Sequence, residues 1–386
     1  MAMYVLNEPR FTRETRVVRL RPFASMGEPL VASGDEVTWD TLAGKYASRK
    51  RLRHIRLEAS SGKFSATVLV QEGQKVKRGE VLAYYSYLFG LGYTEYTAPC
   101  DGEVVAINPA VGAISIMEAP VDLYCHLAGV VEKTDDAMGV WVRTYGGLVQ
   151  GVAGAGYGRS GRLSVKVDSA AHKMAARDIS ASDAGTVILA GRTASQDLLE
   201  ACLRYQVAGV VAGSVSHRVF DWYSGLAWSL DWDEFLARFW ARDAKKKEAA
   251  PPPSEIVPAL VVTEGFGDLP MGDESLSFLQ EHEGKTVHID GGYYSKEPAI
   301  VIPENAGVAP KGWAAGPTTL LAEVKPGSRV SVLGLSDAVR EGTVSETVSE
   351  LRLGNGLVVP SAKILLGNGE TLLVPLSNVL SREHSR

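Results

Sequence analysis

The stretch LVASGDEV at residues 30–37 is repeated as LVQEGQKV at residues 69–76, and each copy continues into a short apolar segment. A third related piece, APCDGEVVAI, follows at residues 98–107. Each copy has a glycine between two apolar runs, which is typical of a sharp bend that needs a positive φ angle. The repeats therefore predict pairs of short β-strands that are joined by tight turns.

Length and composition predict a folded, β-rich protein with more than one domain. A chain of 386 residues is long enough for two to four domains, and its 40 glycines indicate many turns between strands. No apolar run approaches the roughly 20 residues of a membrane-spanning helix, and the first residues lack the basic start of a signal peptide. Cys100, Cys125 and Cys202 are too widely spaced to predict a disulfide framework. We therefore expect a cytoplasmic location without membrane insertion.

Changes in pattern divide the chain into four parts. Residues 1–14 form an N-terminal arm, and residues 15–166 alternate short strands with Gly, Asp and Pro turns. Residues 167–318 combine apolar strands with helical patterns, which predicts a mostly parallel α/β layer. Within that part, residues 226–258 contain an aromatic helix and a Pro-rich spacer. Residues 319–386 form a small β-domain with Gly-Asn-Gly hairpin turns.

Two of these parts resemble known folds. The repeats in residues 15–166 resemble a barrel-sandwich hybrid, the fold of lipoyl and biotinyl carriers, transport adaptor proteins and a module of bacterial RNA polymerase. Residues 319–386 resemble a KOW or SH3-like barrel. The run VVTEGFGDLPM at residues 261–271 is similar to a motif of a poorly characterised prokaryotic family with this order of domains. The resemblance implies a multidomain, β-rich plus α/β fold but no established chemistry, and DGGYY at residues 290–294 replaces the more polar, Arg-containing turn expected in that family.

Aromatic residues occupy the place where a carrier of this fold presents its modified lysine. Residues 79–99 contain no lysine, so we expect no covalently attached lipoyl or biotin group and no other cofactor. Aromatic side chains serve as anchors at protein interfaces, although here they could equally fill the interior of the barrel. The candidates for partner binding in this stretch are Tyr85, Tyr87, Phe89 and Tyr93.

A second aromatic surface is predicted on the helix in residues 226–258. This face either packs on its own domain or binds a partner. Its candidate residues are Trp232, Phe235, Phe239 and Trp240.

Strands predicted at residues 186–190, 207–212 and 259–263 all end in small, hydroxyl or charged residues. Ligands bind beyond the carboxyl ends of strands in open parallel sheets, and helix N-termini there can hold an anion. Such turns also need Gly and Ser for capping alone. The candidate ligand-binding residues are Gly191, Arg192, Thr193, Gly213, Ser214, Ser216, Thr263, Glu264, Gly265, Gly267 and Asp268. Glu264 and Asp268 could act as acid or base, with His217 assisting.

Familiar motifs of catalysis and cofactor binding are incomplete. GYGRSG at residues 156–161 matches Gly-x-Gly-x-x-Gly, but residues 162–167 are typical of a strand where a dinucleotide site needs a helix. The pair Cys125-His126 has no second pair at zinc-site spacing, so no metal site is expected. No P-loop or Gly-x-Ser-x-Gly pattern is present. The sequence therefore contains no complete set of catalytic residues.

Basic residues are concentrated near the start of an otherwise acidic chain. Residues 1–56 hold eleven Lys or Arg and six Asp or Glu, whereas the whole chain has a net charge of −5. Arg10, Arg13, Arg16 and Arg19 recur at every third position, and a further basic run covers residues 49–56. Such an edge could bind nucleic acid or another anion, or it could be solvated beside acidic residues of its own chain. The C-terminal part has seven basic and seven acidic residues, which weakens a nucleic-acid role.

These features favour a non-catalytic scaffold or adaptor subunit of a larger cytoplasmic assembly. It would contact other protein subunits or self-associate through the lysine-free module and the aromatic surfaces. Two alternatives remain open. One is a nucleic-acid-associated protein that uses the basic N-terminal edge and the KOW-like barrel, and the other is an enzyme or small-ligand-binding protein that uses the strand-end turns.

Overall fold

The structure is a computed structural model that describes residues 3–7, 11–47, 52–57, 66–87, 92–108, 111–228, 257–292, 298–305, 321–333, 339–352 and 358–382. Within these ranges the protein is β-rich, with 29 strands and three α-helices. The strands form several sheets rather than one.

Thirteen strands precede residue 125. They are β1 (Met3–Asn7), β2 (Phe11–Pro22), β3 (Gly27–Pro29), β4 (Glu36–Val37), β5 (Leu42–Tyr46), β6 (Leu52–Arg56), β7 (Thr67–Val68), β8 (Lys75–Val76), β9 (Val81–Tyr87), β10 (Gly92–Thr97), β11 (Gly102–Asn108), β12 (Ala113–Glu118) and β13 (Val121–Tyr124).

Ten strands and the three helices follow up to residue 305. They are β14 (Gly129–Asp135), β15 (Gly139–Gln150), β16 (Ala153–Ala155), β17 (Arg159–Val165), β18 (Thr186–Leu189), β19 (Thr193–Ala194), α1 (Gln196–Arg204), β20 (Gly209–Val215), α2 (His217–Trp228), β21 (Ala259–Phe266), α3 (Asp273–Gln280), β22 (Thr286–Asp290) and β23 (Ala299–Asn305).

Six strands complete the described chain. They are β24 (Leu321–Val324), β25 (Arg329–Leu333), β26 (Val339–Arg352), β27 (Val358–Leu366), β28 (Thr371–Pro375) and β29 (Val379–Ser381).

The largest sheet, which we call the central sheet, has twelve strands. Its main order is β16-β21-β20-β18-β17-β22-β23-β15-β14-β4, with β19 beside β20 and β2 beside β15. Pairing is parallel from β17 through β18 and β20 to β21. All residues of β18 and β20 are buried, which explains why these strands are continuous apolar runs rather than alternating ones.

The strands and helices predicted around this parallel region are confirmed. β18 and β21 begin at the predicted residues 186 and 259, whereas β20 begins at Gly209, two residues later than the predicted run at residues 207–212. The intervening helix α1 begins after Ser195, whose side chain accepts a hydrogen bond from the N–H of Leu198. One face of α1 is buried, so the helix is held on the sheet by its apolar residues.

The two copies of the N-terminal repeat adopt the same turn. In both, the carbonyl two residues before the glycine accepts a hydrogen bond from the N–H after the glycine at 3.1 Å. Gly34 and Gly73 have φ angles of 96° and 83°, a region that glycine enters without steric cost. The first residue of each copy, Leu30 or Leu69, donates its N–H to β5 at 2.9 Å or to β9 at 2.8 Å. The sequence repeat is therefore a repeat in structure.

The second copy belongs to a two-sheet module that covers residues 52–118. One sheet has the order β10-β9-β7 and the other β6-β12-β11-β8. Leu82 of β9, Val104 of β11 and Ile114 of β12 are fully buried in its apolar core. The module therefore has a hydrophobic core of its own, separate from that of the central sheet.

A seven-stranded sheet contains the C-terminal strands and the start of the chain. Its order is β24-β1-β29-β25-β26-β27-β28, in which β1 pairs with β24 and with β29. The described strands leave this sheet open, since β24 and β28 lie at its two ends. Strands from both sides of residue 166 join the central sheet. The expected boundaries at residues 14 and 166 thus do not coincide with the edges of hydrogen-bonded sheets.

Candidate functional site

The structure brings the three strand-end turns together. Because β18, β20 and β21 run parallel, their carboxyl ends lie at one edge of the sheet. The register places Thr193 beside Ser214, and Ser214 beside Gly265. The neighbourhood predicted from the sequence therefore exists, and its chemistry depends on what each polar group contacts.

Two basic side chains neutralise Asp268 at this edge. Arg192 Nε donates to Asp268 Oδ1 at 2.9 Å, and Lys173 Nζ donates to Asp268 Oδ2 at 2.6 Å. The Arg192 guanidinium also donates to the Asp268 carbonyl oxygen at 2.8 Å. The hydrogen bond from Lys173, with help from Arg192, lowers the pKa of Asp268 below its usual range. Asp268 is thus held as an ionised carboxylate and is poorly suited to donate a proton.

Glu264 and Ser214 support the backbone of the same turns. Glu264 is buried, and its Oε1 accepts a hydrogen bond from the N–H of Gly272 at 3.1 Å, directly before α3. A carboxylate at a helix N-terminus satisfies an otherwise unpaired donor. Ser214 Oγ donates to the Arg192 carbonyl oxygen at 3.0 Å and accepts from the N–H of Leu269 at 2.9 Å. Both side chains join one turn to another.

Two further hydroxyl groups form hydrogen bonds within the protein, whereas the His217 ring is stacked and its buried Nδ1 has no hydrogen-bond partner among the described residues. Thr263 is fully buried, and its hydroxyl donates to a carbonyl oxygen of β20 at 3.4 Å. Ser216 caps α2, since its Oγ accepts from a backbone N–H of the first turn at 3.3 Å. His217 stacks on Phe266 with ring centroids 4.0 Å apart, and burial lowers its pKa.

Close backbone packing accounts for two of the glycines. A Cβ atom on Gly213 would lie 2.5 Å from the backbone nitrogen of Met271, and one on Gly191 would lie 2.6 Å from a carbonyl oxygen. Gly265 is the penultimate residue of β21, and Gly267 directly follows that strand. As described, these turns form a network of ion pairs, caps and close contacts that holds the strand ends together.

The aromatic stretch at residues 79–99 contains the antiparallel strand pair β9 and β10, and the described side chains of this pair lie on two faces. Tyr85 and Tyr96 pack against the core of the two-sheet module. Tyr84 and Tyr93 lie on the outer face, where the exposed fraction of Tyr93 is 65%. Together with their neighbours they line a groove of about 390 Å³, which we call the tyrosine groove. Its lining residues are Leu69, Val81, Tyr84, Ser86, Tyr93 and Glu95.

Of the predicted partner-binding residues, Tyr93 lies in this groove, whereas Tyr85 faces the core. The side chain of Tyr87, and Phe89 as a whole, lie outside the described residues. The same holds for the predicted aromatic helix, with its candidates Trp232, Phe235, Phe239 and Trp240. Sequence reasoning did not single out Leu69, since its exposure depends on a sheet face that only the fold defines.

The arginines of the basic N-terminal edge do not share one surface. Arg13 pairs with Glu281 at 2.6 Å and Arg16 with Glu132 at 2.5 Å. Arg19 is buried, because side chains of β2 alternate in direction while the arginines recur every third residue. Arg10 and residues 49–51 lie outside the described part of the chain.

A buried polar cluster was missed by the sequence patterns. It contains Arg21, His126, Ser160 and His288, which come from distant segments that meet where β17 pairs with β22. Ser160 belongs to the GYGRSG sequence, whose last three residues already lie in β17, the strand that was expected at residues 162–167. The only sequence signals for the cluster were this sequence and the isolated Cys125-His126 pair.

Among the described residues, no group of three or more His, Cys, Asp or Glu side chains is placed to hold a metal ion. In that same part of the chain, no helix combines the length and the apolar character that crossing a membrane requires. Comparisons with protein-family models, curated proteins and solved structures found no match to this chain.

Proposed function

We propose that this protein is a non-catalytic adaptor that binds a protein partner through the tyrosine groove of its two-sheet module. The observation that carries the proposal is the apolar face formed by Leu69, Val81, Tyr84 and Tyr93, in which Leu69 and Tyr93 are exposed and the other two are half-buried. The module is similar to a barrel-sandwich hybrid, and residues 79–99 lack the lysine that a carrier would modify. A partner-binding role explains why aromatic residues occupy residues 79–99.

The apolar side chains of the groove are poorly covered by their own module. Leu69 is 54% exposed and Tyr93 is 65% exposed, although both lie next to a well-packed core. Fully burying a side chain of this kind stabilises by about 1.5–3 kcal/mol, so the two half-exposed side chains together can supply roughly 2 kcal/mol to an interface. Exposed apolar patches and aromatic anchors are typical of protein-binding surfaces.

The strand pair β9 and β10 also offers backbone groups to a partner. In the described part of its sheet, β10 is the edge strand and pairs only with β9. An extended peptide can add to such an edge by main-chain hydrogen bonds while its alternate side chains enter the groove. Because Glu95 lines the groove, we propose a partner strand with apolar residues at alternate positions and one Lys or Arg opposite Glu95.

We propose the same finer architecture that the resemblance implies: a barrel-sandwich hybrid, a parallel α/β layer and a KOW-like β-domain. The duplicated turns at Gly34 and Gly73 support the first. The parallel pairing from β17 to β21 supports the second. The consecutive antiparallel strands β25 to β28 support the third.

The ion pairs of the N-terminal arginines do not favour the nucleic-acid alternative, and the contacts of the strand-end turns do not favour the enzyme or small-ligand alternative. Arg13 and Arg16 each pair with a carboxylate of their own chain, which reduces the positive charge available to phosphates. At the strand ends, Asp268 and Glu264 are engaged by the protein's own donors. An adaptor role requires none of these groups to be free.

The proposal is tested by co-purification of the tagged full chain from its source cell after mild cross-linking, with partners quantified by mass spectrometry. The variant Leu69→Glu/Tyr93→Glu places two charges in the groove. The control Val111→Glu changes a residue that is 64% exposed in the turn between β11 and β12, in the other sheet of the module. We expect a partner that wild type and control retain and the double variant loses. A partner that binds all three chains equally, or no partner for wild type, contradicts the proposal.

A further inference from the structure

A buried arginine in the central sheet is only partly satisfied by the protein. Arg21 is 5% exposed and lies on the inner face of β2. Its Nε donates to the Tyr124 carbonyl oxygen at 3.1 Å, and its Nη1 donates to the Gly158 carbonyl oxygen at 2.9 Å. Among the described residues, no acceptor contacts Nη2 and no carboxylate forms an ion pair with the guanidinium. Buried charges are normally paired, so this one points to an absent anion.

The neighbouring groups do not cancel the charge of Arg21. Asp290 interacts with the Arg21 guanidinium electrostatically but forms no ion pair with it, and Asp290 Oδ1 accepts a hydrogen bond from the N–H of Gly292 at 2.8 Å. Burial, together with the charge of Arg21, lowers the pKa of His126 to about 2 and that of His288 to about 3. Both rings are therefore neutral at physiological pH, and the cluster keeps the positive charge of the arginine.

The neutral groups of the cluster are linked to one another by hydrogen bonds. Ser160 Oγ lies 3.0 Å from His126 Nδ1, and His288 Nδ1 donates to the His126 carbonyl oxygen at 2.8 Å. His126 has a φ angle of 51°, a left-handed conformation that is unusual for a residue other than glycine. Such backbone strain is concentrated at functional sites. The same residue carries the ring that contacts Ser160 Oγ.

The glycine loop is shaped to approach the guanidinium. A Cβ atom on Gly158 would lie 2.5 Å from Arg21 Nη1 and 2.9 Å from His288 Cε1. Only glycine therefore lets the backbone come close enough for the carbonyl of residue 158 to accept from Arg21. This gives the Gly-x-Gly-x-x-Gly match a role that does not involve a dinucleotide.

The residues of the cluster differ in burial. Arg21 and His288 are buried at its base, whereas His126, Gly158 and Ser160 are half-buried. A small group would approach over the half-buried residues, among which is the Ser160 hydroxyl, and Arg21 Nη2 has no acceptor among the described residues. The planar fork of arginine suits oxygens of a carboxylate or a phosphoryl group.

We propose that Arg21, Ser160 and His126 form a binding site for the oxyanion group of a small metabolite, either a carboxylate or a phosphoryl group. Arg21 Nη2 supplies the charge-assisted hydrogen bond, and the Ser160 hydroxyl supplies a second donor. His126 positions that hydroxyl in the tautomer that carries its proton on Nδ1, because Nδ1–H then donates to Ser160 Oγ and the hydroxyl hydrogen is left for the ligand. The site is separate from the tyrosine groove, so it does not depend on the adaptor proposal.

The test is isothermal titration calorimetry of the full chain with inorganic phosphate and with succinate, against sodium chloride at equal ionic strength. We expect at least one of the two anions to bind. Stronger binding of phosphate or of succinate identifies the group that the site prefers. Arg21→Lys and Ser160→Ala should each weaken binding, with a loss of about tenfold or more for Arg21→Lys.

The control Arg13→Gln removes an exposed arginine of the same strand and should bind like wild type. If Arg21→Lys fails to fold, Ser160→Ala decides, because removing a half-buried hydroxyl leaves the charge and packing of the cluster intact. No binding of either anion beyond the chloride control overturns the proposal. Equal binding by wild type and Ser160→Ala does so as well.

Discussion

Replacing Asp268 with asparagine distinguishes a structural turn from a catalytic one. The change keeps the shape of the side chain but removes the charge that receives Lys173 and Arg192. If the carboxylate joins the strand ends, its loss destabilises them. A carboxylate held for catalysis in a strained site behaves in the opposite way, since its removal commonly stabilises the fold.

The expected size of the effect follows from exposure. The side chains of Asp268 and Lys173 are 52% and 56% exposed, so this pair contributes only about 0.2–1 kcal/mol. The Arg192 side chain is 17% exposed, and a hydrogen bond between charged groups contributes about 1.5–3 kcal/mol when it is well buried. Solvent screening at the half-exposed Asp268 roughly halves that value. Asp268→Asn should therefore lower local stability by about 1–2 kcal/mol.

Hydrogen–deuterium exchange with mass spectrometry measures this local change. Peptides that cover β18 and β20 should exchange roughly 5–30 times faster in the variant, which corresponds to 1–2 kcal/mol. Asp122→Asn is a matched control, because Asp122 is 45% exposed and pairs with Lys45 at 3.4 Å on the surface. It should change exchange there by less than about twofold. Unchanged or slower exchange in Asp268→Asn would refute the structural assignment.

The pH dependence of exchange in wild type and Asp268→Asn provides a second test of this assignment. The folded-state pKa of Asp268 lies below the unfolded value of 3.8, so its stabilising contribution is fully present above pH 3.8. It is lost as the pH falls through the folded-state pKa. The difference in exchange between wild type and Asp268→Asn should thus be constant at neutral pH and shrink only below pH 3.8.

Three further predictions concern close packing and buried polar groups. Gly213→Ala should destabilise the protein by about 1–3 kcal/mol in urea unfolding, because the new Cβ would lie 2.5 Å from a backbone atom. Gly225→Ala is the matched control: it lies in α2 with open space around it, so the change should stabilise by about 0.4–1 kcal/mol. Tyr223→Phe should cost about 1–3 kcal/mol in the same assay, since the buried hydroxyl donates to a carbonyl oxygen at 2.7 Å. His126 and His288 should show no NMR titration between pH 8 and pH 5, as their pKa values lie near 2 and 3; a shift in either ring within that range would contradict the burial that lowers them.

Local patterns were sufficient for several elements of the fold. The repeated LVASGDEV and LVQEGQKV stretches predicted two like turns, and both form with their glycines at positive φ. The apolar runs of β18, β20 and β21 predicted buried strands, since strands covered on both faces need no polar alternation. These features depend on residues that are close together in the chain, so they can be predicted from local sequence patterns.

The candidate sites could be predicted from local sequence patterns only in part. Small and hydroxyl residues at the three strand ends indicated a shared edge, but not that Lys173 would engage Asp268 from 95 residues away. Alternation along β9 and β10 implied two faces without showing which tyrosines face the core. Arg21 gave no signal at all, because its neighbours in the sequence do not predict that β2 is buried beside β15.

By itself, the sequence determined the local structural elements of this protein: repeated glycine turns, buried parallel strands, capped helices and an aromatic strand pair without a carrier lysine. Only the tertiary structure decided that β1 joins the C-terminal sheet, that Arg13 pairs with Glu281, and that Ser160 meets His126 beside Arg21. The physical reason is that turns and strands follow from short-range backbone preferences. Sheet order and the burial of individual charges arise from long-range pairing, in which each partner is selected by the packing of the whole chain.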